Sequence, residues 1–523
     1  MSKLSSLDGY DALLKAAKMP FNLADAFIKN PHRVDELTLS IDGVLIDFSK
    51  NLIDPHILNH LLNLVKQRRL QDKKQALFNG EKLNFSEQRQ VLHPLLRATK
   101  APPQLQQEFA AVKGTQLRVR KLTQAIHSGK KQSLTQQAFT DLIHIGIGGS
   151  YLGPEMLYQA LLPTTKAHLR CHFVANICAN DVQSIIQNLN PQTTLVVIAS
   201  KTFTTLETMQ NATTVKNWLI QSLGEEAISN HCFAVTAAPE KAIEQGFNEA
   251  HIFAFWDWVG GRFSVFSAIG LSLSLSFGYD KFEALLLGAE QMDQHFLNAP
   301  DEKNMPTLMA LIGFWYTEFF NKQALCIAPY DHRLRRLPAF LQQLEMESNG
   351  KSVDLANLPI DYHTCPVIFG EPGTNCQHSF FQLLHQSPSF IPVDFMLTLD
   401  DPTQNKDHHT WLFANGLAQS KALMDGQVSS LGYDAMQGNR PSTTILFESL
   451  SAENLGKLIA LYEHKVFVQS VLWDINAFDQ WGVELGKKIS KAIHQNLSEQ
   501  IDNPLDPSTQ ALIATYIKKA TLK

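Results

Sequence analysis

The chain has 523 residues, 44% hydrophobic and 18% charged, with a formal net charge of −5 and a pI near 6.4. That length exceeds one ordinary core and predicts two domains, and the composition excludes a disordered protein. The weak negative charge leaves no basic footprint for nucleic acid, and no apolar run approaches the roughly 18 residues of a membrane span, so neither is an expected partner.

The opening stretch, Met1 to Pro20, mixes acidic and basic residues around a short apolar stripe. It has neither the apolar core nor the small-residue cleavage site of a secretory leader. Cys171, Cys178, Cys232, Cys326, Cys365 and Cys376 are scattered without a CxxC pair. In a chain this size that pattern predicts reduced, mostly buried thiols and a cytoplasmic location. Residues 1–105 read as a mainly helical region interrupted by ELTLSIDGVLIDFS, where two alternating runs flank Asp42-Gly43, a strong hairpin signal. The paired prolines of KAPPQ (Lys100 to Gln104) stop a helix and mark a boundary.

Residues 106–277 change pattern: DLIHIGI, CHFVANI, TLVVIAS and HCFAVTA alternate with segments long enough for helices. This predicts an α/β domain with a parallel sheet covered on both faces. A second α/β domain is expected over 278–470, with strand candidates ALCIAPY, PVIFGE, PVDFMLTL and STTILFE. Residues 471–523 are expected to form a helical arm, with a break near Gly482.

Five segments carry candidate chemistry. GIGGSYLGP (Gly146 to Pro154) follows a strand, so its backbone amides either cradle an anion or form a tight structural turn. Tyr151 occupies the place of the third glycine in a dinucleotide fingerprint, and no acidic residue closes the next strand, which disfavours NAD. In ASKTFTTLET, Ser200, Thr202, Thr204 and Thr205 join Lys201 just before a helix start. Hydroxyls, an ammonium and helix amides suit a phosphate monoester, the alternative being a Ser/Thr-rich helix cap. Arg262 follows Gly260-Gly261 in an apolar run, where a buried guanidinium needs an anionic or carbonyl partner. His363-x-Cys365 and Cys376-x-His378 have gaps too short for paired zinc ligands, so His378 reads as a catalytic imidazole and no metal is expected. DQWGVELGKK adds Gln480, Lys487 and Lys488, which serve an anionic ligand or are simply solvated. The basic cluster HRLRR (His332 to Arg336) reads as a solvated or ion-paired face.

QQLEMESNGKS (Gln342 to Ser352) is a helix end with two glutamates. Gln343 and Glu347 are four apart and share a face, whereas Glu345 points the other way and is expected to be solvated.

Taken in order, GIGGSYLGP, SKTFTTLET, DWVGGRFSVFSAIGLS, MESNGK, GEPGTNCQHSFFQLLHQ and DQWGVELGK closely resemble the glucose-6-phosphate isomerases, over about residues 140–490. The resemblance implies two α/β/α sandwich domains of the sugar-isomerase type with mainly parallel sheets, a helical N-terminal region and a C-terminal helical arm. It implies reversible conversion of glucose 6-phosphate to fructose 6-phosphate through a cis-enediol, a step of glycolysis and gluconeogenesis, without a cofactor. Glu347 would be the base moving a proton between C1 and C2, Arg262 would stabilise the enediolate, and His378 with Lys487 would open the ring. Gly149, Ser150, Ser200, Lys201, Thr202, Thr205, Glu207, Gly261, Gln343 and Gln480 would hold the sugar phosphate. A homodimer sharing His378 between subunits is implied. Two positions depart from the usual family pattern: Tyr151 replaces an aspartate and Cys376 a glycine. The latter is expected to make the protein oxidation-sensitive. Rival readings are a non-catalytic sugar-phosphate-binding protein of the same fold and an isomerase that also accepts mannose 6-phosphate.

Overall fold

Eleven strands lie among the described residues: β1 (Thr38–Ile41), β2 (Val44–Asp47), β3 (Asp141–Ile145), β4 (Arg170–Val174), β5 (Thr194–Ala199), β6 (Cys232–Thr236), β7 (Ile252–Ala254), β8 (Ala324–Pro329), β9 (Val367–Gly370), β10 (Val393–Thr398) and β11 (Ser442–Phe447). They form two sheets, ordered β4-β3-β5-β6-β7 and β1-β2-β11-β10-β8-β9. The computed structural model describes residues 3–498 and 505–520. Of the expected C-terminal arm, residues 499–504 and 521–523 lie outside the described residues, as do residues 1–2 of the N-terminal region.

The first sheet is parallel throughout. Every residue of β3, β5 and β6 is buried, as expected of strands covered on both faces. On one face, Ile143, Ile145, Val196 and Ile198 pack with Val182 and Ile186 of helix Ala179–Ile186 and with Val215 and Leu219 of helix Leu206–Leu223. On the other face, helix Leu271–Phe277 is tied to β3 by the 2.5 Å bond between Ser272 Oγ and His144 Nδ1. The short strand β7 had no sequence signal of its own.

The second sheet combines parallel pairs from β8 to β11 with an antiparallel edge. That edge is the N-terminal hairpin, in which Ile41 pairs with Val44 across Asp42-Gly43, and Gly43 has φ +75°. Strand β2 then pairs antiparallel with β11, Ile46 opposite Ile445. The hairpin tip rests on helix Ala452–Trp473, where Lys457 Nζ donates to the Asp42 carbonyl at 2.6 Å. This helix is buried almost all round and packs on helix Tyr279–Asn298 through two glycine notches. A Cβ on Gly288 would lie 1.8 Å from the Glu453 carbonyl oxygen, and one on Gly456 would lie 2.1 Å from that of Leu285. Its polar residues are buried with partners: Glu463 on Arg97 at 2.5 Å, His464 on Asp293 at 2.6 Å, and Lys465 on Glu345 at 2.7 Å.

Both sheets belong to one compact unit ending at Ala477. A second unit, Phe478–Lys523, contains the turn Trp481–Val483 and the helices Glu484–Ser498 and Pro507–Ala520. No described helix is long and apolar enough to cross a membrane.

Candidate active site

At the end of β3 the chain enters the turn Gly148–Ser150, made possible by φ +58° at Gly148. A Cβ on Gly149 would lie 2.0 Å from the Gly261 carbonyl oxygen, so the two glycine segments meet backbone to backbone. His144 braces the turn: its Nε2 donates to the Ser150 carbonyl at 2.6 Å, leaving Nδ1 to accept from Ser272. Burial pushes this imidazole down to about 4, so it stays neutral and keeps that tautomer. Ser150 itself is partly exposed.

The second loop leaves β5 at Ser200, which donates through Oγ to Thr205 Oγ1 at 3.1 Å. Phe203 has φ +51° and is fully buried in the core beneath, an uncommon conformation for a bulky residue. With Phe203 anchored inward, Thr202 and Thr204 are exposed, linked by a 2.9 Å hydroxyl bond. Helix Leu206–Leu223 starts here without a side-chain cap on its first turn, and Glu207 is half-buried within that turn. Lys201 turns aside: its Nζ donates to the carbonyls of Asp257 (2.8 Å) and Val259 (2.9 Å). It thereby fastens this loop to the segment carrying Gly261 and Arg262. Burial lowers its pKa.

Arg262 lies on the short turn Gly261–Phe263 and is 3% exposed. Its Nε donates to Ser348 Oγ at 2.6 Å, its Nη2 donates to the Ala477 carbonyl, and its Nη1 is 3.7 Å from Glu347 Oε1. The Glu347 side chain is partly exposed. Gln343 lies over the first glycine turn, since a Cβ on Gly148 would be 3.0 Å from its Nε2. The structure therefore gathers Gly148–Ser150, the 200–205 loop, Gly261, Arg262, Gln343 and Glu347 at the carboxyl ends of β3 and β5.

Gln342–Glu347 forms a π-helical turn following the short helix Leu337–Leu341, a feature often found at functional sites. Within it the expectation of a solvated Glu345 fails. Glu345 is 1% exposed, and its two carboxylate oxygens accept from Lys465 Nζ at 2.8 and 2.7 Å. The face opposite Gln343 and Glu347 packs against a buried helix at Glu345 instead of facing water.

His378 ends the turn Asn375–His378 and is exposed; no described hydrogen bond or ion pair joins it to Glu347 or Arg262. In the second unit, Lys487 is exposed and pairs with Glu484 at 2.7 Å, and Gln480 precedes the turn at Trp481. The two departures are absorbed locally. Tyr151 Oη accepts from Arg336 Nη2 at 3.2 Å, and Arg336 Nε donates to Glu155 at 2.6 Å. The basic cluster is thus ion-paired, with Arg333 also bound to Asp331 at 2.7 Å. Cys376 is fully buried in the core with Cys326 and Phe395, and burial pushes its thiol up to about 12. Burial and a raised thiol pKa make it a packing group and weigh against the expected oxidation sensitivity. Sequence reasoning missed His144, Ser348 and Lys465; a lone histidine in an apolar strand was the available signal for the first.

The phosphoglucose isomerase family model matches residues 47–513. The chain is 42% identical to glucose-6-phosphate isomerase 1 of Chromohalobacter salexigens, covering 96% of this chain and 92% of that one. It is 44% identical to the glucose-6-phosphate isomerase of Chlorobium phaeobacteroides, covering 94% and 92%. A crystal structure of the glucose-6-phosphate isomerase from Chlamydia trachomatis superposes with a TM-score of 0.89 at 31% identity, covering 98% and 99%. With a glycine-lined double loop, a buried arginine and a glutamate at its side, the chain belongs to the phosphoglucose isomerase family.

Proposed function

We propose that this protein interconverts glucose 6-phosphate and fructose 6-phosphate through a cis-enediol. The observation that carries the reading is the pair Arg262–Glu347, a buried fixed cation 3.7 Å from a partly exposed carboxylate, beside two hydroxyl- and glycine-rich loops. Moving a proton between adjacent carbons needs one base able to reach both, and Glu347 is assigned that role. The oxygen that gains charge in the enediolate needs a cation that cannot act as a competing acid, which suits Arg262. The phosphate is assigned to Ser150, Ser200, Thr202 and Thr205 with the helix amides after Thr205, and Lys201 holds the loop that receives it. Gly149, Gly261 and Glu207 line this pocket, and Gln343 and Gln480 contact the sugar.

Ring opening is assigned to His378 with Lys487. The family resemblance implies that His378 is delivered from a second copy, hence a homodimer, and His378 is exposed. The chemistry needs no metal or cofactor, and the cytoplasm is the proposed compartment.

A coupled assay of fructose 6-phosphate formation from glucose 6-phosphate, with EDTA present, tests the reading. Turnover undiminished by EDTA is expected; absence of turnover, or its loss to the chelator, would overturn it.

A further inference from the structure

Glu345 has no part in the reaction proposed above, yet it is 1% exposed and gives both carboxylate oxygens to one ammonium, Lys465 Nζ. A buried ion pair is a poor way to gain stability, because desolvation offsets most of the attraction and apolar residues of the same shape often serve as well. Its best-attested use is to select one register among several. The residues around it make register the issue.

Gln342–Glu347 is π-helical, so one residue more than an α-helix would hold is accommodated in the turn. Slipping this segment by one residue back to α geometry would rotate its side chains by roughly 100°. Glu347 would then leave Arg262, and Gln343 would leave Gly148. The slip would also withdraw Glu345 from Lys465 and strand a buried ammonium, which is strongly disfavoured. Packing beside the pair is incomplete: a cavity of about 30 Å³, lined by Glu345, Lys465, Asp394 and Gln469, adjoins it. Two further ties follow: Ser348 Oγ accepts from Arg262 Nε at 2.6 Å, and Asn349 Nδ2 donates to the Val466 carbonyl and to Gln469 Oε1, each at 3.3 Å.

We propose that Glu345 and Lys465 are positioning residues whose ion pair fixes the register of the π turn and so aims Glu347 at Arg262 and Gln343 at Gly148. The proposal rests on Glu347 being the base. It places the control of catalytic geometry on helix Ala452–Trp473, remote from the substrate.

The test uses the full-length double variant Glu345→Gln/Lys465→Met, which removes both charges of the pair together and leaves Asp394 as the remaining carboxyl that had faced Lys465, with Glu347→Gln measured in parallel. A misaimed base predicts a kcat at least about tenfold lower, with KM for fructose 6-phosphate within about twofold and melting temperature little changed. A folded double variant with kcat within about twofold of wild type would overturn the proposal, as would equal deterioration of kcat, KM and melting temperature. Should the double variant not fold, Lys465→Arg keeps the charge and changes its geometry: lowered kcat at unchanged KM supports the assignment, and unchanged kcat overturns it. Wild-type turnover in Glu347→Gln would instead remove the base on which the proposal rests, a separate failure.

Discussion

Arg262 stands 3.7 Å from Glu347 but donates elsewhere, through Nε to Ser348 and through Nη2 to the Ala477 carbonyl. Neither of these two anchors, a hydroxyl and a backbone carbonyl, titrates. The carboxylate beside the guanidinium is not hydrogen-bonded through the Nη1 contact, which suits the base role proposed for it.

Glu347→Gln keeps the shape and removes the proposed base. Loss of kcat by about 10²–10⁴ is expected, the usual contribution of a positioned general base, with KM within about threefold of wild type. Steady-state kinetics in both directions check this, and near wild-type kcat would exclude Glu347 as the base.

Arg262→Lys retains the charge and loses the fork. One ammonium cannot reach both Ser348 Oγ and the Ala477 carbonyl and also serve the oxyanion role proposed for Arg262. A fall in kcat/KM of roughly 10²–10³ is expected, comparable with removing one oxyanion donor. Full activity of this variant would make Arg262 a structural residue.

Gly149→Ala inserts a carbon where the Gly261 carbonyl oxygen is only 2.0 Å away. Backbone cannot yield as a flexible side chain does, so both loops must part. We expect a loss of about 1–3 kcal/mol in stability and a raised KM for sugar phosphate, read by thermal melting and kinetics. A variant with unchanged melting and KM would mean that the loops separate freely.

Asp394, a buried residue of β10 that accepts from Tyr462 Oη at 3.0 Å, is pushed up by burial from 3.8 to about 6. A carboxyl raised on folding contributes stability that is fully present below pH 3.8 and lost as pH rises through about 6. Asp394→Asn lacks this titration. Its stability relative to wild type is therefore expected to improve between about pH 4 and pH 6 and to level off above, by up to about 3 kcal/mol. Melting temperatures of both proteins across that range check the sign; a difference independent of pH would contradict it.

Strands covered on both faces were legible because they read as continuous apolar runs, and ten of the eleven described strands coincide with such runs or with the Asp42-Gly43 hairpin. Strand β7, Ile252–Ala254, is too short to carry a pattern. The two loops at Gly148–Ser150 and 200–205 were legible because each follows a strand end. What could not be read was partnership. Glu345 looked solvated because its partner, Lys465, is 120 residues away, and no local rule links them. Lys201 looked like a phosphate ligand because sequence shows a side chain's charge but not the carbonyls it faces. The π turn was invisible for a related reason: at four residues apart, Gln343 and Glu347 share a face in either helical geometry.

The pairing of β2 with β11 also sets an order of assembly. Ile46 emerges from the ribosome roughly 400 residues before its partner Ile445, so one edge of the early hairpin must wait for nearly the whole chain. The first sheet, by contrast, draws all its strands from residues 141–254 and can close on its own while synthesis continues. Folding should therefore proceed from the first sheet outward, and the hairpin edge is the surface most in need of protection from mispairing in the nascent chain.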